Sequence, residues 1–160
     1  MGDLHWKFKT SEVVHASPAL ADGVLFFGSW DSYFYAVDAA TGKEKWRFHA
    51  GEDPLIHNQV GFQSSPAVAN GVVYTGCRDA NLYALDAVTG KEKSRFNTEL
   101  SWVITSPAVA DGKVFFATSD SEFVSPSWMQ TAAKPSCGSK GKHTCFPRRR
   151  SLEISYSSAC

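Results

Sequence analysis

The stretch Ser17-Pro18-Ala19-Leu20-Ala21-Asp22-Gly23 returns as Ser65-Pro66-Ala67-Val68-Ala69-Asn70-Gly71 and again as Ser106-Pro107-Ala108-Val109-Ala110-Asp111-Gly112. Its prolines lie 48 and then 41 residues apart. A chain that repeats itself at this period is a row of similar units, each needing the next to cover its apolar face. Asp-Gly or Asn-Gly between two apolar runs is a strong hairpin signal, because both residues accept positive φ. The runs that follow are β-rich: Val24-Leu25-Phe26-Phe27-Gly28, Val72-Val73-Tyr74-Thr75-Gly76 and Val114-Phe115-Phe116-Ala117. Two copies continue from Tyr35 to Lys45 and from Tyr83 to Lys93 through Asp-Ala-x-Thr-Gly-Lys. That is a second turn, in which side-chain oxygens bond the local backbone and glycine takes the left-handed position. Lys45-Trp46-Arg47-Phe48 then alternates charged and apolar residues, as a half-exposed strand does. Four short strands in about 40 residues, with no helical period, predict propeller blades. The expectation is an all-β partial β-propeller of about three four-stranded antiparallel blades over residues 1–121, followed by a disordered tail over 122–160.

The signature Ala-x-Asp-x-x-Thr-Gly-x-x-x-Trp, from Ala36 to Trp46, resembles the tryptophan-docking motif of the PQQ-like (quinoprotein-type) β-propeller repeat family. That family includes quinoprotein dehydrogenases and the lipoprotein propeller of outer-membrane-protein assembly, and the resemblance covers roughly residues 3–121. It implies that Trp6, Pro18, Asp38, Gly42, Trp46, Pro66, Asp86, Gly90 and Pro107 carry the repeat, with each Trp packed on the neighbouring blade. Ser94 takes the place of that Trp in the second full copy, so docking there should be weaker. By the same resemblance a bacterial parent works in the periplasm or outside the cell. Dehydrogenase members use an adjacent cysteine pair, a Trp platform and a calcium or lanthanide ion over an axial PQQ. No Cys-Cys pair occurs here. PQQ and calcium are therefore expected only for a longer parent of the dehydrogenase type, and this chain is expected to hold no cofactor and no metal and to catalyse nothing.

An aromatic share of 13% suits β structure. No apolar run is long enough to cross a bilayer, so no membrane insertion is expected. The chain opens on strand-like sequence, Asp3 to Phe8, which reads as a cut inside a longer protein. Its zero net charge hides two unlike parts: residues 1–121 hold 10 Lys+Arg against 14 Asp+Glu, and residues 122–160 hold 6 against 2. An acidic body argues against a nucleic-acid partner.

Between the first and second copies, Gly51-Glu52-Asp53-Pro54-Leu55-Ile56-His57-Asn58-Gln59-Val60-Gly61 lengthens one unit by seven residues. Loops carry function more often than strands, and propeller loops gather at the mouths of the channel. Asp53, His57 and Asn58 are therefore candidate ligand-binding residues. His15, set at the place of Ser64 and Thr105, is a further candidate near the inner strands. Trp30 and Trp102 could stack a flat ligand, though single aromatics in a propeller more often pack. His5 and His49 read as surface residues, and Cys77 as a small strand residue. The function expected is a binding or scaffold module for a protein or peptide partner. The alternatives are a fragment of a PQQ-dependent alcohol or sugar dehydrogenase, or a truncated product with no function of its own; self-association through open blade edges is expected as well.

The tail after Ser121 follows another pattern, with Cys137, Cys145, Cys160 and Arg148-Arg149-Arg150. A shifted reading frame accounts for it. Trp128-Met129-Gln130 is encoded TGG-ATG-CA, and from the third base this reads GAT-GCA, which is Asp-Ala. The codons around it permit Phe-Ala-Val-Leu before that pair and Asp-Ser-Gly-Lys after it, the signature of Tyr35 to Lys43. Further on, Phe146 to Ser151 permits Ser-Ser-Pro-Ala-Val-Ala, with the hidden proline at position 148, 41 residues after Pro107. The expectation is a frameshift between Asp120 and Trp128 that overwrites a further blade.

Overall fold

The computed structural model describes residues 3–51, 61–99, 101–120, 123–124 and 126. Their strands form three antiparallel sheets in chain order, with no helix among the described residues. The first sheet is β1 (Ala19–Ala21), β2 (Val24–Gly28), β3 (Tyr33–Asp38) and β4 (Glu44–His49). The second is β5 (Ala67–Ala69), β6 (Val72–Gly76), β7 (Asn81–Asp86) and β8 (Glu92–Asn97). The third holds three strands, β9 (Ala108–Ala110), β10 (Lys113–Ala117) and β11 (Phe123–Val124). Each sheet is a meander of consecutive strands, which is the blade architecture the repeat predicts.

The turns form for the reasons given by their residues. Asp22 and Gly23 both adopt positive φ, 48° and 72°, the mirror-type turn that matches the strand twist. At the next turn, Asp38 Oδ1 accepts from the Thr41 amide (2.9 Å), the Ala40 amide (3.2 Å) and the Thr41 hydroxyl (2.8 Å). Asp86 repeats this with Val88 and Thr89. These bonds to the charged form hold both carboxyls below the usual range, that of Asp86 most strongly because Lys93 sits 3.0 Å away. A bulge then makes Lys45 the extra residue, so that Ala36 faces Trp46 while Val37 faces Glu44.

Trp46 leaves its own sheet and docks on the next. Its Nε1 donates to the Ala87 carbonyl (3.1 Å), and its ring covers Gly90, where a Cβ would lie 2.6 Å from the indole. Trp6 does the same to the first sheet, through the Ala39 carbonyl (2.9 Å) and Gly42. Ser94 faces Ala84 at the Trp46 position of the second sheet. The middle sheet is buried on both faces, and its side chains alternate between two cores. Val73, Tyr83 and Leu85 join Phe26, Phe34 and Phe62, whereas Tyr74, Leu82 and Ala84 join Val103, Val114 and Phe116. The far face of the first sheet is covered by Phe8, edge-on to Phe27 (5.8 Å) and Tyr35 (5.4 Å). Leu4 and Leu20 stay 79% and 66% exposed there.

The innermost strands are stitched by the serine of the Ser-Pro-Ala repeat. Ser65 Oγ accepts from the Ser17 amide (3.0 Å), and Ser106 Oγ accepts from the Ser65 amide (3.2 Å). One place earlier, Ser64 Oγ accepts from the Gly76 amide (2.8 Å) and Thr105 Oγ1 from the Ala117 amide (2.9 Å). These bonds correct the register of His15. The residue matching Ser64 and Thr105 is Ala16, which has no hydroxyl, and His15 stands beside Gln63 and Ile104. The expected disordered tail lies outside the described residues apart from the short β11 and residue 126.

Candidate functional site

Strands alternate in direction, so the β2–β3 turns and the segments entering β1, β5 and β9 meet at one end of the blades. Three equivalent bonds fix that end: the amides of Trp30, Arg78 and Ser119 donate to the carbonyls of Val13 (3.0 Å), Gly61 (3.2 Å) and Trp102 (3.0 Å). The repeat therefore puts an indole, a guanidinium and a hydroxyl at the same place in successive blades. The Arg78 guanidinium carbon lies 4.9 Å from the Trp30 ring centroid and 4.1 Å from that of Trp102. His15 packs edge-on against Trp30 with centroids 5.4 Å apart. His15, Trp30, Arg78 and Trp102 thus form one row drawn from three blades. Trp30 and Trp102, which read as packing residues, are the two walls around a cation.

Beside this row lie two copies of an acid–phenol pair. Asp31 accepts from the Ser11 amide (3.1 Å), the Tyr33 amide (3.1 Å) and the Tyr35 hydroxyl (2.8 Å). Asp79 accepts from the Asn81 amide (3.1 Å) and in a short bond from the Tyr83 hydroxyl. Burial pushes the Asp79 carboxyl above the usual carboxylate range, against the pull of its hydrogen bonds. Burial, and then the neighbouring acids, push both phenols upward. Each phenol faces an arginine on the outer strand: Arg47 stands opposite Tyr35, with its guanidinium over the Tyr33 ring (5.1 Å), and Arg95 stands opposite Tyr83 and over its ring (5.3 Å). Trp30 Nε1 is out of solvent contact and has no acceptor among the described residues.

Asp53, His57 and Asn58 lie outside the described residues, but both stems of their loop are anchored here. The Gly51 amide donates to the Tyr83 hydroxyl (3.3 Å), and the Gly61 carbonyl receives Arg78. His5 and His49 are exposed, as expected, with His49 edge-on to Tyr33 (4.7 Å). Cys77 is buried just beyond β6, and burial raises its thiol well above the usual range. Sequence reasoning missed Arg78 and the acid–phenol pairs. The pairs had a signal, since Asp31 precedes Tyr35 and Asp79 precedes Tyr83 by the same four places. No three His, Cys, Asp or Glu side chains come together as a metal site among the described residues. No helix among them is long and apolar enough to cross a membrane.

Solved structures place the fold among known proteins. BamB from Moraxella catarrhalis superposes with a TM-score of 0.66 at 19% identity, over 79% of this chain and 40% of that one. A quinohemoprotein alcohol dehydrogenase from Pseudomonas putida HK5 gives 0.60 at 28%, over 71% and 18%. The quinohemoprotein alcohol dehydrogenase of Comamonas testosteroni gives 0.58 at 30%, over 67% and 17%. The chain thus spans less than half the length of each. No curated protein matches the sequence. The family model described as outer membrane protein assembly factor BamB matches residues 1–91 and 56–128. The repeat, the tryptophan docking and this match together make the chain a member of the PQQ-like β-propeller family.

Proposed function

We propose that this chain is a non-catalytic binding module of a PQQ-like propeller, holding a protein or peptide partner at the mouth where the β2–β3 turns meet. The observation that carries this reading is the row of His15, Trp30, Arg78 and Trp102, flanked by both stems of the inserted loop. Aromatic and arginine side chains of this kind are the usual anchors of protein contacts. Asp53, His57 and Asn58, outside the described residues, are kept as ligand-binding candidates of this proposal. The family's printed role in outer membrane protein assembly agrees with a protein partner and with a parent that works outside the cytoplasm. A peptide array probed with the full chain tests the reading. Trp30→Ala should abolish spots that Val88→Ser, at the opposite end of the blades, leaves intact. Equal spots from both variants would sink it.

The dehydrogenase reading rests on the likeness to two quinohemoprotein alcohol dehydrogenases. The residues at hand do not fit that cofactor: the sequence has no adjacent cysteine pair, and the described residues gather no metal-binding set. Dye-linked alcohol oxidation after addition of PQQ and calcium would reverse this judgement. A third element of the proposal concerns residues 122–160, which we read as the product of a shifted frame, leaving sheet faces open to self-association. The family match stops at residue 128, and the shifted signature of that stretch supports this reading.

A further inference from the structure

Among the described residues, the mouth row contains a cation without an anion. Arg78 makes no hydrogen bond or ion pair through its guanidinium with any described residue, although two carboxylates stand next to the row in sequence. Both are engaged elsewhere. Asp31 is taken by Ser11, Tyr33 and Tyr35, and Asp79 by Asn81 and Tyr83. An indole from the preceding blade and another from the following segment cover the guanidinium at 4.9 Å and 4.1 Å. A guanidinium walled by indoles keeps only its in-plane N–H edges for bonding, and that edge matches a carboxylate in two parallel bonds. The walls also hold the fork in place, so little side-chain entropy is lost on binding.

We infer that Arg78, clamped by Trp30 and Trp102, is the recognition point for a carboxylate of an acidic, extended peptide; this rests on the peptide-binding reading above and names its chemistry. A peptide fits better than a compact anion because the row runs across three successive blades, from His15 to Trp102.

The test uses the full chain and two fluorescein-labelled octapeptides, one alternating Gly and Glu, the other Gly and Gln, read by anisotropy. The Glu peptide should bind at least tenfold more tightly, and Arg78→Gln should remove that preference. Arg78→Lys, which keeps the charge but not the flat fork, should leave a reduced preference and so guards against simple misfolding. Equal binding of the two peptides, or a preference untouched by Arg78→Gln, overturns the inference. If both peptides bind equally and both are lost in Trp30→Ala, the mouth still binds peptides and only the carboxylate chemistry falls. Succinate competing as well as the Glu peptide at matched carboxylate concentration would assign the site to a small anion and overturn the peptide class. Failure of both peptides to bind also overturns it, leaving the peptide reading to the array.

Discussion

Asp38, Asp79 and Asp86 occupy turns of the same repeat, yet their surroundings act on them in opposite directions. Asp38 and Asp86 are solvated carboxylates bonded to amides, hydroxyls and a lysine, and their pKa values are lowered. They contribute stability above the ordinary Asp range that is lost as pH falls. Asp79 is buried and its pKa is raised, so the folded chain binds its proton more tightly than the unfolded chain does. Its contribution is complete below the ordinary Asp value of 3.8 and drains away as pH rises through and beyond it. Urea titrations from pH 3 to 7 should therefore show Asp79→Asn gaining on the wild type as pH rises, and Asp86→Asn losing ground over the same range. Two glycines make a second contrast. Gly71 has φ of 72° with open space at its missing Cβ, and Gly90 has φ of 70° with the Trp46 ring 2.6 Å away. Gly71→Ala should cost about 1 kcal/mol from the left-handed backbone alone. Gly90→Ala should cost roughly 2 kcal/mol more through overpacking, measured by urea denaturation.

At the scale of strands and turns, the tryptophan on β4 is what ties one sheet to the next. Trp46→Ala should cost about 3 kcal/mol and broaden the unfolding transition, because the first and second sheets then melt less as one. Ser94→Ala, at the equivalent place on β8, should stay within about 0.5 kcal/mol. This level was largely legible in the sequence. Asp-Gly hairpins and the Asp-Thr-Gly turn are local, and local chemistry repeats with the period. The mouth was less legible, because it is made between blades. One repeat position holds Trp30, Arg78 and Ser119 in turn, and no period connects three different side chains. His15 was misplaced by one residue since Ala16 lacks the hydroxyl that marks the register in the other blades.

For the whole chain, the face that bears on assembly is the far side of the first sheet. The groove on the far face of the first sheet holds about 330 Å³ and is lined by Trp6, Phe8, Val14, Pro18, Leu25 and Phe27. With Leu20 exposed beside it, the isolated chain should scatter light as an oligomer, and Leu20→Glu should shift it toward the monomer. Sequencing the DNA for residues 115–160 and beyond checks the frame. GAT-GCA across Trp128 to Gln130, followed by further Ser-Pro-Ala-Val copies in the shifted frame, is the expected result, whereas early stop codons would make the tail native.

The serine bonds along the inner strands carry a direction. Ser65 Oγ accepts a hydrogen bond from the blade before it, and Ser65 offers its own amide to the blade after it. Among the described residues Ser17 Oγ accepts nothing and the Ser106 amide donates to nothing, so the row ends in an acceptor at one side and a donor at the other. Such a row behaves as a vector: a blade can be added only head-to-tail, and an inverted blade would bring two donors or two acceptors together. Assemblies built on this contact are therefore heterologous rather than two-fold, and the rotation from blade to blade alone decides between a closed ring and an open spiral.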